Sequence, residues 1–413
     1  MKKKVLCSAV ALGIGLSFGL ASTGVAGTVT VDEDILKAMQ EQLAQQAQAI
    51  ADLQARLGKV PEAAKTAEHV AVVSHPANDA KVQVSLYGQV NKGVMYADDG
   101  NKNKTFFVDN DASSTRFGIK AVVKPGGAWN AGSLMEMEYQ TNPSNKVSMD
   151  DESLNEDLHV RKFSVFLAEN SLGRLTIGQD SAATDGIAEI DLSGTSLAGY
   201  ADGTVIGGGL SFYDRTTADY SDSTVGSVFK DLDGGRYDLV RYDTPKFYGF
   251  SFAGSLGEEN KNEIALRYNQ KFDMLHLVGG IGYATEGSAS SSDDRWSGSI
   301  SALLDNGLNF TLAGGVRTEN DANRDDPSYW YGKIGYQLHL FSVGKTAFSV
   351  DYGSYQDFVN NNDDGTLFGT QLVQYIDPLS SQFYLGYRQM QLDRDLTDMD
   401  DIYSVVSGVR VKF

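Results

Sequence analysis

The stretch that decides the fold is the last thirteen residues, 401-DIYSVVSGVRVKF-413. Taken at every second position, Tyr403, Val405, Val409, Val411 and Phe413 fall on one face, and Ser404, Gly408, Arg410 and Lys412 on the other. That is the period-2 pattern of a strand with one apolar and one wet side. In a soluble sandwich the apolar side covers a core, and a chain rarely stops on an exposed aromatic. In a membrane-spanning barrel the apolar side faces lipid, and a closing aromatic sits at the membrane–water interface. The choice turns on whether the rest of the chain repeats this strand often enough to close.

The pattern recurs fifteen times. Strands are predicted at 81–96, 113–123, 129–140, 157–168, 172–180, 234–243, 247–257, 260–272, 274–285, 295–304, 307–318, 328–339, 344–357, 365–376 and 381–392, sixteen with 401–413. In 113–123, Phe117, Ile119, Ala121 and Val123 oppose Arg116, Gly118, Lys120 and Val122. In 307–318, Leu308, Phe310, Leu312 and Val316 oppose Asn309, Thr311, Ala313 and Arg317. Each strand signal is weak alone; the repetition carries the weight. Links after even-numbered strands are short, such as KPGGA (124–128), ENS (169–171), TPK (244–246) and DN (305–306). Links after odd-numbered strands are mostly long and acidic, such as 97–112, 141–156 and 286–294. Short turns at one end and long loops at the other mark bacterial outer-membrane barrels, and put both termini in the periplasm. A soluble propeller would carry a motif at fixed spacing, and none is present. The expected fold class is all-β, a 16-stranded antiparallel transmembrane β-barrel over 81–413.

Composition agrees. At 41% hydrophobic residues the 413-residue chain is too polar for a bundle of membrane helices, while 20 Tyr and 19 Phe suit interfacial girdles. Residues 1–26 read as an export signal: Lys2, Lys3 and Lys4, an apolar run from Val5 to about Leu20, then small residues with cleavage after Ala26. No later stretch approaches ~18 uncharged apolar residues, so no transmembrane helix is expected in the mature chain. The single cysteine, Cys7, lies in that leader, which excludes disulfides, thiolate metal sites and covalent haem from the mature protein. No cofactor is expected. Net charge is −19, and loss of the three leader lysines lowers it by three, to about −22. Such acidity argues against nucleic acid as a partner, and fits a cell-surface coat bridged by divalent cations or plain solvation.

Residues 27–60 switch period. Leu36, Met39, Leu43, Gln46, Ile50, Leu53 and Leu57 are spaced 3, 4, 3, 4, 3, 4, an a/d seam that predicts a short coiled-coil helix. Gln46 at a d position is suited to fix register or oligomer number. One amphipathic helix lying on its own protein is the alternative. Residues 61–80, Ala-rich with Pro61 and Pro76, read as a linker.

One connection stands apart. Between strands 172–180 and 234–243 lie about fifty residues, too many for a simple loop. Its first half, 181-SAATDGIAEIDLSGTSLAGYADG-203, carries Asp185, Glu189, Asp191 and Asp202 with no Lys or Arg. By parity Arg116, Lys120, Lys162 and Arg174 face inward from neighbouring strands. In 234–243, Arg236 and Arg241 have opposite parity, and Asp238 with Leu239 favours Arg236 inward unless the strand is bulged. A third loop folded into the lumen, its acids facing cations on the wall, would set a transverse field across a water-filled constriction and filter by size and charge.

Five stretches carry a family resemblance: LYGQVNKGVMY (86–96), SSTRFGIKA (113–121), LGRLTIGQD (172–180), RYDTPKFYGFSFAGSLG (241–257) and GVRVKF (408–413). The chain resembles the general porins of Gram-negative outer membranes. The resemblance implies a trimeric sixteen-stranded barrel with the third loop inside, passing small hydrophilic solutes by passive diffusion among outer-membrane lipid and lipopolysaccharide. It implies a basic cluster at Arg116, Lys162 and Arg241, acidic loop residues at Asp185, Glu189 and Asp191, and Phe413 as an assembly signal. Many relatives lack an N-terminal coil, which here points to a periplasmic stalk in reach of the cell wall.

Other classes have little to stand on. His159, His276 and His339 have no nucleophile elbow or metal-spaced partner, so no enzyme is expected. Acidic runs such as Asp363–Asp364 and Asp398, Asp400, Asp401 lack ordered calcium-ligand spacing. A substrate-selective channel is the nearer rival, with Tyr200, Phe212 and Tyr213 available as an aromatic ladder, and envelope tethering through the coil is another.

Overall fold

Burial alternates as the sequence does. Phe163 and Val165 leave 58% and 56% of their surface open while Ser164 between them leaves 5%. The same odd–even contrast runs through Phe250 and Phe252, Leu312, Ile334 and Leu385, all exposed. Rows of exposed large apolar side chains on the strands of the closed wall are unsustainable in water over so large an area, and form the outer band of a barrel in lipid.

The structure, a computed structural model, describes residues 70–74, 81–123, 127–154, 157–287 and 292–413. The expected leader and coil lie outside the described residues. The strands are β1 (Val70–Ser74), β2 (Lys81–Asp98), β3 (Asn103–Asp109), β4 (Arg116–Val123), β5 (Trp129–Glu138), β6 (His159–Glu169), β7 (Gly173–Ser181), β8 (Ser211–Asp214), β9 (Asp219–Thr224) and β10 (Arg236–Asp243). They continue as β11 (Phe250–Gly257), β12 (Asn262–Lys271), β13 (Leu275–Thr285), β14 (Ser292–Leu304), β15 (Leu308–Glu319), β16 (Ser328–Phe341), β17 (Gly344–Gln356), β18 (Asp364–Ile376), β19 (Ser381–Asp393) and β20 (Ile402–Lys412). Each strand of the main sheet pairs antiparallel with its neighbours, and β8–β9 is a separate hairpin. β3 and β4 both pair with β2 and are two halves of one barrel strand. With them counted once and β1 set aside, sixteen strands close the wall.

Closure is made by β20 against β2, from Asp98↔Tyr403 to Gln89↔Lys412. Phe413 extends it: its N–H donates to the Gly88 carbonyl at 3.0 Å and the Gly88 N–H to the Phe413 carbonyl at 2.9 Å. A Cβ on Gly88 would meet the Phe413 ring at 2.6 Å, so glycine is what lets the terminal ring sit there.

Three features differ from the sequence reading. The stretch 97–112, expected as a loop, contains β3, because a 3-10 turn at Asp111–Ser113 interrupts the strand and hides its continuation. The expected linker contains β1, which pairs with the start of β2, Val70↔Ser85 to Ser74↔Lys81. Nor is the inner face wet throughout. Ile402 and Val406 of the closing strand are fully buried, in one cluster with Met95, Tyr331 and Tyr355 and with Leu197, Phe212 and Phe229 of the long connection. Full burial of such side chains stabilises by roughly 1.5–3 kcal/mol each.

Candidate functional site

The connection between β7 and β10 starts with Ala182, whose N–H bonds the Gly235 carbonyl, so its two ends leave the wall side by side. From there its hydrogen bonds step along side chains of successive strands. Thr184 N–H and Oγ1 donate to Glu263 of β12 at 2.8 and 2.6 Å. Ile190 and Leu192 N–H groups donate to Ser299 and Ser301 of β14 at 3.0 and 2.9 Å. Gln337 of β16 reaches the Leu192 carbonyl at 2.5 Å, Tyr375 of β18 that of Gly194 at 2.9 Å, and Arg388 of β19 that of Tyr200 at 3.1 Å. Asn110, at the break between β3 and β4, donates to the Leu197 carbonyl at 2.8 Å. Small residues make room: a Cβ on Gly386 would stand 2.5 Å from the Ala198 carbonyl oxygen.

Two buried ion pairs lock this path. Lys333 Nζ lies 2.7 Å from Asp191 Oδ2, both side chains almost fully buried, and also donates to the Gly199 carbonyl at 2.7 Å. Arg388 Nη1 meets Asp351 at 2.9 Å, and Asp351 also accepts from Tyr331 at 2.5 Å and Gln371 at 2.9 Å. Burial alone would raise the Asp191 carboxyl, but the Lys333 charge and the hydrogen bonds from Lys333 and Ser193 outweigh it and hold it below the usual range. Asp191, expected among the acids facing the wall cations, is buried against one of them, Lys333.

The other acids gather. Carboxylate oxygens of Glu189, Asp202 and Asp231 all lie within 4.8 Å of one another. Asp233 accepts from the Gly186 and Ala188 N–H groups at 2.5 and 2.8 Å. Burial, then the charges of Asp233, Asp202 and Asp185, push the Glu189 carboxyl well above its ordinary value. Burial likewise raises Asp231 strongly, and Asp233 to about 6. Asp185 stands at the edge, 3.3 Å from Arg236.

The wall cations divide into groups. Arg116 of β4 and Arg410 of β20 share Ser113 Oγ, at 3.4 and 2.8 Å. Arg116 and Arg161 of β6 share Ser114 Oγ at 3.3 and 3.4 Å, and Arg161 also pairs with Glu136 at 2.9 Å and Glu138 at 2.5 Å. Lys162 pairs with Asp180 at 2.9 Å. Arg241 binds Asp243 at 2.6 Å and the Ser181 and Ala182 carbonyls at 3.0 and 2.8 Å, bracing the root of the connection. Arg174 lies over the Phe166 ring at 4.0 Å, one residue into β7 from the short turn, and Lys120 is exposed three residues from the end of β4; neither joins the Ser113–Ser114 group.

The parity expectation for strand 234–243 is overturned. Val240 and Tyr242 are exposed while Leu239 is buried, so Arg241 is on the inner side, and Arg236, the first residue of β10, lies 3.3 Å from Asp185. The counting rule failed because it placed the polar Asp238 inward and the apolar Leu239 outward. Sequence reasoning also missed Arg161, which a bulge between Glu136 and Met137 turns to the same side as Lys162. Asp231 and Asp233 belong to the second half of the connection, where the sequence signal is DLD at 231–233. Of the aromatic ladder candidates, Phe212 is fully buried and Tyr200 nearly so, and Tyr213 packs edge-on against Tyr220 at 5.4 Å.

Comparison with known proteins gives one family. Residues 63–395 match the family described as Gram-negative porin. Among solved structures, the chain is similar to an anion-selective porin from Comamonas acidovorans: 16% identity, 80% of this chain and 100% of that one, TM-score 0.54. It is also similar to OmpT of Vibrio cholerae (12% identity, 83% and 100% covered, TM-score 0.52) and to the outer-membrane channel DcaP of Acinetobacter baumannii (12%, 83% and 100%, TM-score 0.51). At these identities the likeness concerns the fold. A search of curated proteins returns no match.

Proposed function

This chain belongs to the Gram-negative porin family and forms a passive-diffusion channel of the outer membrane, and on that premise we propose how it filters. The connection 182–235 folds into the barrel as its third loop and narrows the lumen. The observation that carries this is its run of hydrogen bonds to inner-parity side chains of β12, β14, β16, β18 and β19. Glu189 and Asp185, with Asp202, Asp231 and Asp233, form the acidic side; Arg116, Arg161 and Arg410 form the basic side, with Lys162 and Arg241 at the root of the connection beside Ser181. Fixed charges of both signs flanking water favour small hydrophilic solutes and sort them by charge. Burial of Tyr200 and Phe212 removes the aromatic ladder that would favour a sugar-selective channel. In planar bilayers the purified protein should give stepwise ion conductance, and Arg116→Ser with Arg161→Ser should shift the reversal potential toward cation preference by several millivolts in a tenfold KCl gradient. Lack of conductance would refute the channel; an unmoved potential would refute this constriction.

The assembly is proposed to be a homotrimer. Lys92 supports it: on the outer parity of β2 between exposed Val90 and Val94, it leaves 48% of its side chain open while pairing with the buried Asp109 at 2.8 Å. A cation at that position is costly against lipid and is accommodated at a protein contact. We further propose a leader at 1–26, a periplasmic coil at 27–60 in reach of the cell wall, a connection at 61–80 that includes β1, and the barrel at 81–413, with acidic outer loops meeting lipopolysaccharide through divalent cations.

A further inference from the structure

We infer that the short-turn end of the lumen carries a separate site, built by Lys271, His276, His339 and Lys345, that binds the phosphate group of a small solute. The four lie on β12, β13, β16 and β17, beside the turns 272–274, 305–307 and 342–343, and line one cavity of about 400 Å³. Parity puts them on the lumen side. Lys345 shares its face of β17 with Ser349, whose hydroxyl lies 2.6 Å from that of Thr195 on the long connection. His339 shares its face of β16 with Gln337, which reaches the Leu192 carbonyl. His276 shares its face of β13 with Gly280 and Gly282, where a Cβ would meet Ile187 at 2.7 Å and Thr184 at 2.6 Å. Lys271 has the parity of Glu263 and Arg267 on β12, both of which bond the long connection.

The charges at this end are uncompensated. Elsewhere on the wall Lys162 and Lys333 pair with Asp180 and Asp191, but neither Lys271 nor Lys345 has a carboxylate partner among the described residues. Lys345 Nζ instead donates to Gln337 Oε1 at 3.1 Å and stands 4.4 Å over the Tyr375 ring, which hold it in place without neutralising it. The Asp377 charge, on the turn after β18, reaches it only at longer range. Lys271 is exposed. One carboxylate, Asp305, lines the cavity against two ammonium groups, so the pocket stays positive. None of these strands carries Arg116, Arg161 or Arg410, so the pocket is distinct from the basic side of the constriction.

The charge count selects the ligand. Two uncompensated ammonium groups call for a group with two negative charges. A phosphate monoester carries about −1.5 to −2 at neutral pH and offers three strong acceptor oxygens. Lysines meet phosphate as point charges, here from two separate strands, and the two imidazoles add ring nitrogens from two more. The cavity falls in the range of small-molecule pockets, on the order of 300–1,000 Å³.

The test measures binding directly, so its outcome does not depend on how the channel filters. Full-length protein in micelles of a phosphate-free detergent is titrated with glycerol phosphate and followed by phosphorus NMR line broadening. Saturable broadening is expected, reversed by inorganic phosphate and not by an equal concentration of acetate. Lys271→Gln with Lys345→Gln should weaken binding at least tenfold, while Lys246→Gln, an exposed lysine on the turn 244–249, should leave it unchanged. Gel mobility of unheated protein checks assembly; should the double variant not assemble, Lys271→Gln alone should still weaken binding about threefold. In planar bilayers glycerol phosphate should lower the KCl conductance of the parent and not that of the double variant. Absence of saturable broadening, displacement by acetate, or equal weakening by Lys246→Gln would overturn the site. So would binding that survives the lysine substitutions and is lost in Arg116→Ser with Arg161→Ser, since the ligand would then sit at the constriction.

Discussion

At the residue scale, Lys333 and Asp191 decide whether the connection stays where it is. Both are buried, so removing one leaves the other as an uncompensated charge, a change that costs about 3–5 kcal/mol. Lys333→Met should therefore release the segment around 191–199, read as new protease cleavage there and larger, noisier conductance. Lys333→Met with Asp191→Leu should recover most of the loss, because neither charge is then left alone. If the single variant resists protease like the parent, the pair is not the anchor. A polar parity pattern shows that Lys333 faces inward, but not that an acid 142 residues earlier in the chain awaits it.

At the scale of the element, the connection between β7 and β10 is an acidic arm laid against a partly apolar wall. Its grouped carboxyls titrate above their usual range, Asp233 at about 6. The sign follows. Raised folded-state values mean that the folded protein takes up protons before the unfolded chain does, so this packing is favoured at low pH and loses that contribution as pH rises through the folded values. Charge follows the same course: from pH 8 to pH 5 the acidic side loses negative charge while the arginines keep theirs. Reversal potentials in a KCl gradient should move toward anion preference over that interval, with Asp233 contributing near pH 6. A flat profile would mean that these carboxyls do not border the ion path. Periodicity identified this segment as exceptional by its length and acidity. It could not supply the glycines that receive it, such as Gly386 beneath the Ala198 carbonyl, because a glycine made necessary by a distant backbone looks like any other in a strand.

For the whole molecule the critical line is the seam between β2 and β20. Deleting Phe413 should reduce assembled protein more than it changes the conductance of each channel that forms, and Gly88→Val should do the same by obstructing the Phe413 ring. Unheated gel mobility and single-channel recording separate the two effects; equal assembly in both variants would remove Phe413 from the closing step. Deleting 27–60 tests the proposed coil: conductance should persist while resistance of the oligomer to dissociation falls, and unchanged resistance would exclude the coil from holding subunits together.

Local alternation of apolar and polar residues is enough to specify the barrel. Lipid outside and water or loop inside impose a period of two on every strand, and that period is local, so the strand positions, the short-turn end and the closing role of 401–413 could be read without a fold. The inner surface could not be read the same way. A bulge shifts Arg161, a 3-10 turn splits β3 from β4, Leu239 rather than Asp238 faces inward beside Arg241, and Ile402 and Val406 are buried in one cluster with residues of the long connection. Tertiary structure alone decided which charges meet, because Asp231 with Glu189, or Lys333 with Asp191, are partners through the path of one loop around a closed wall, and nothing in the spacing of either stretch encodes that path.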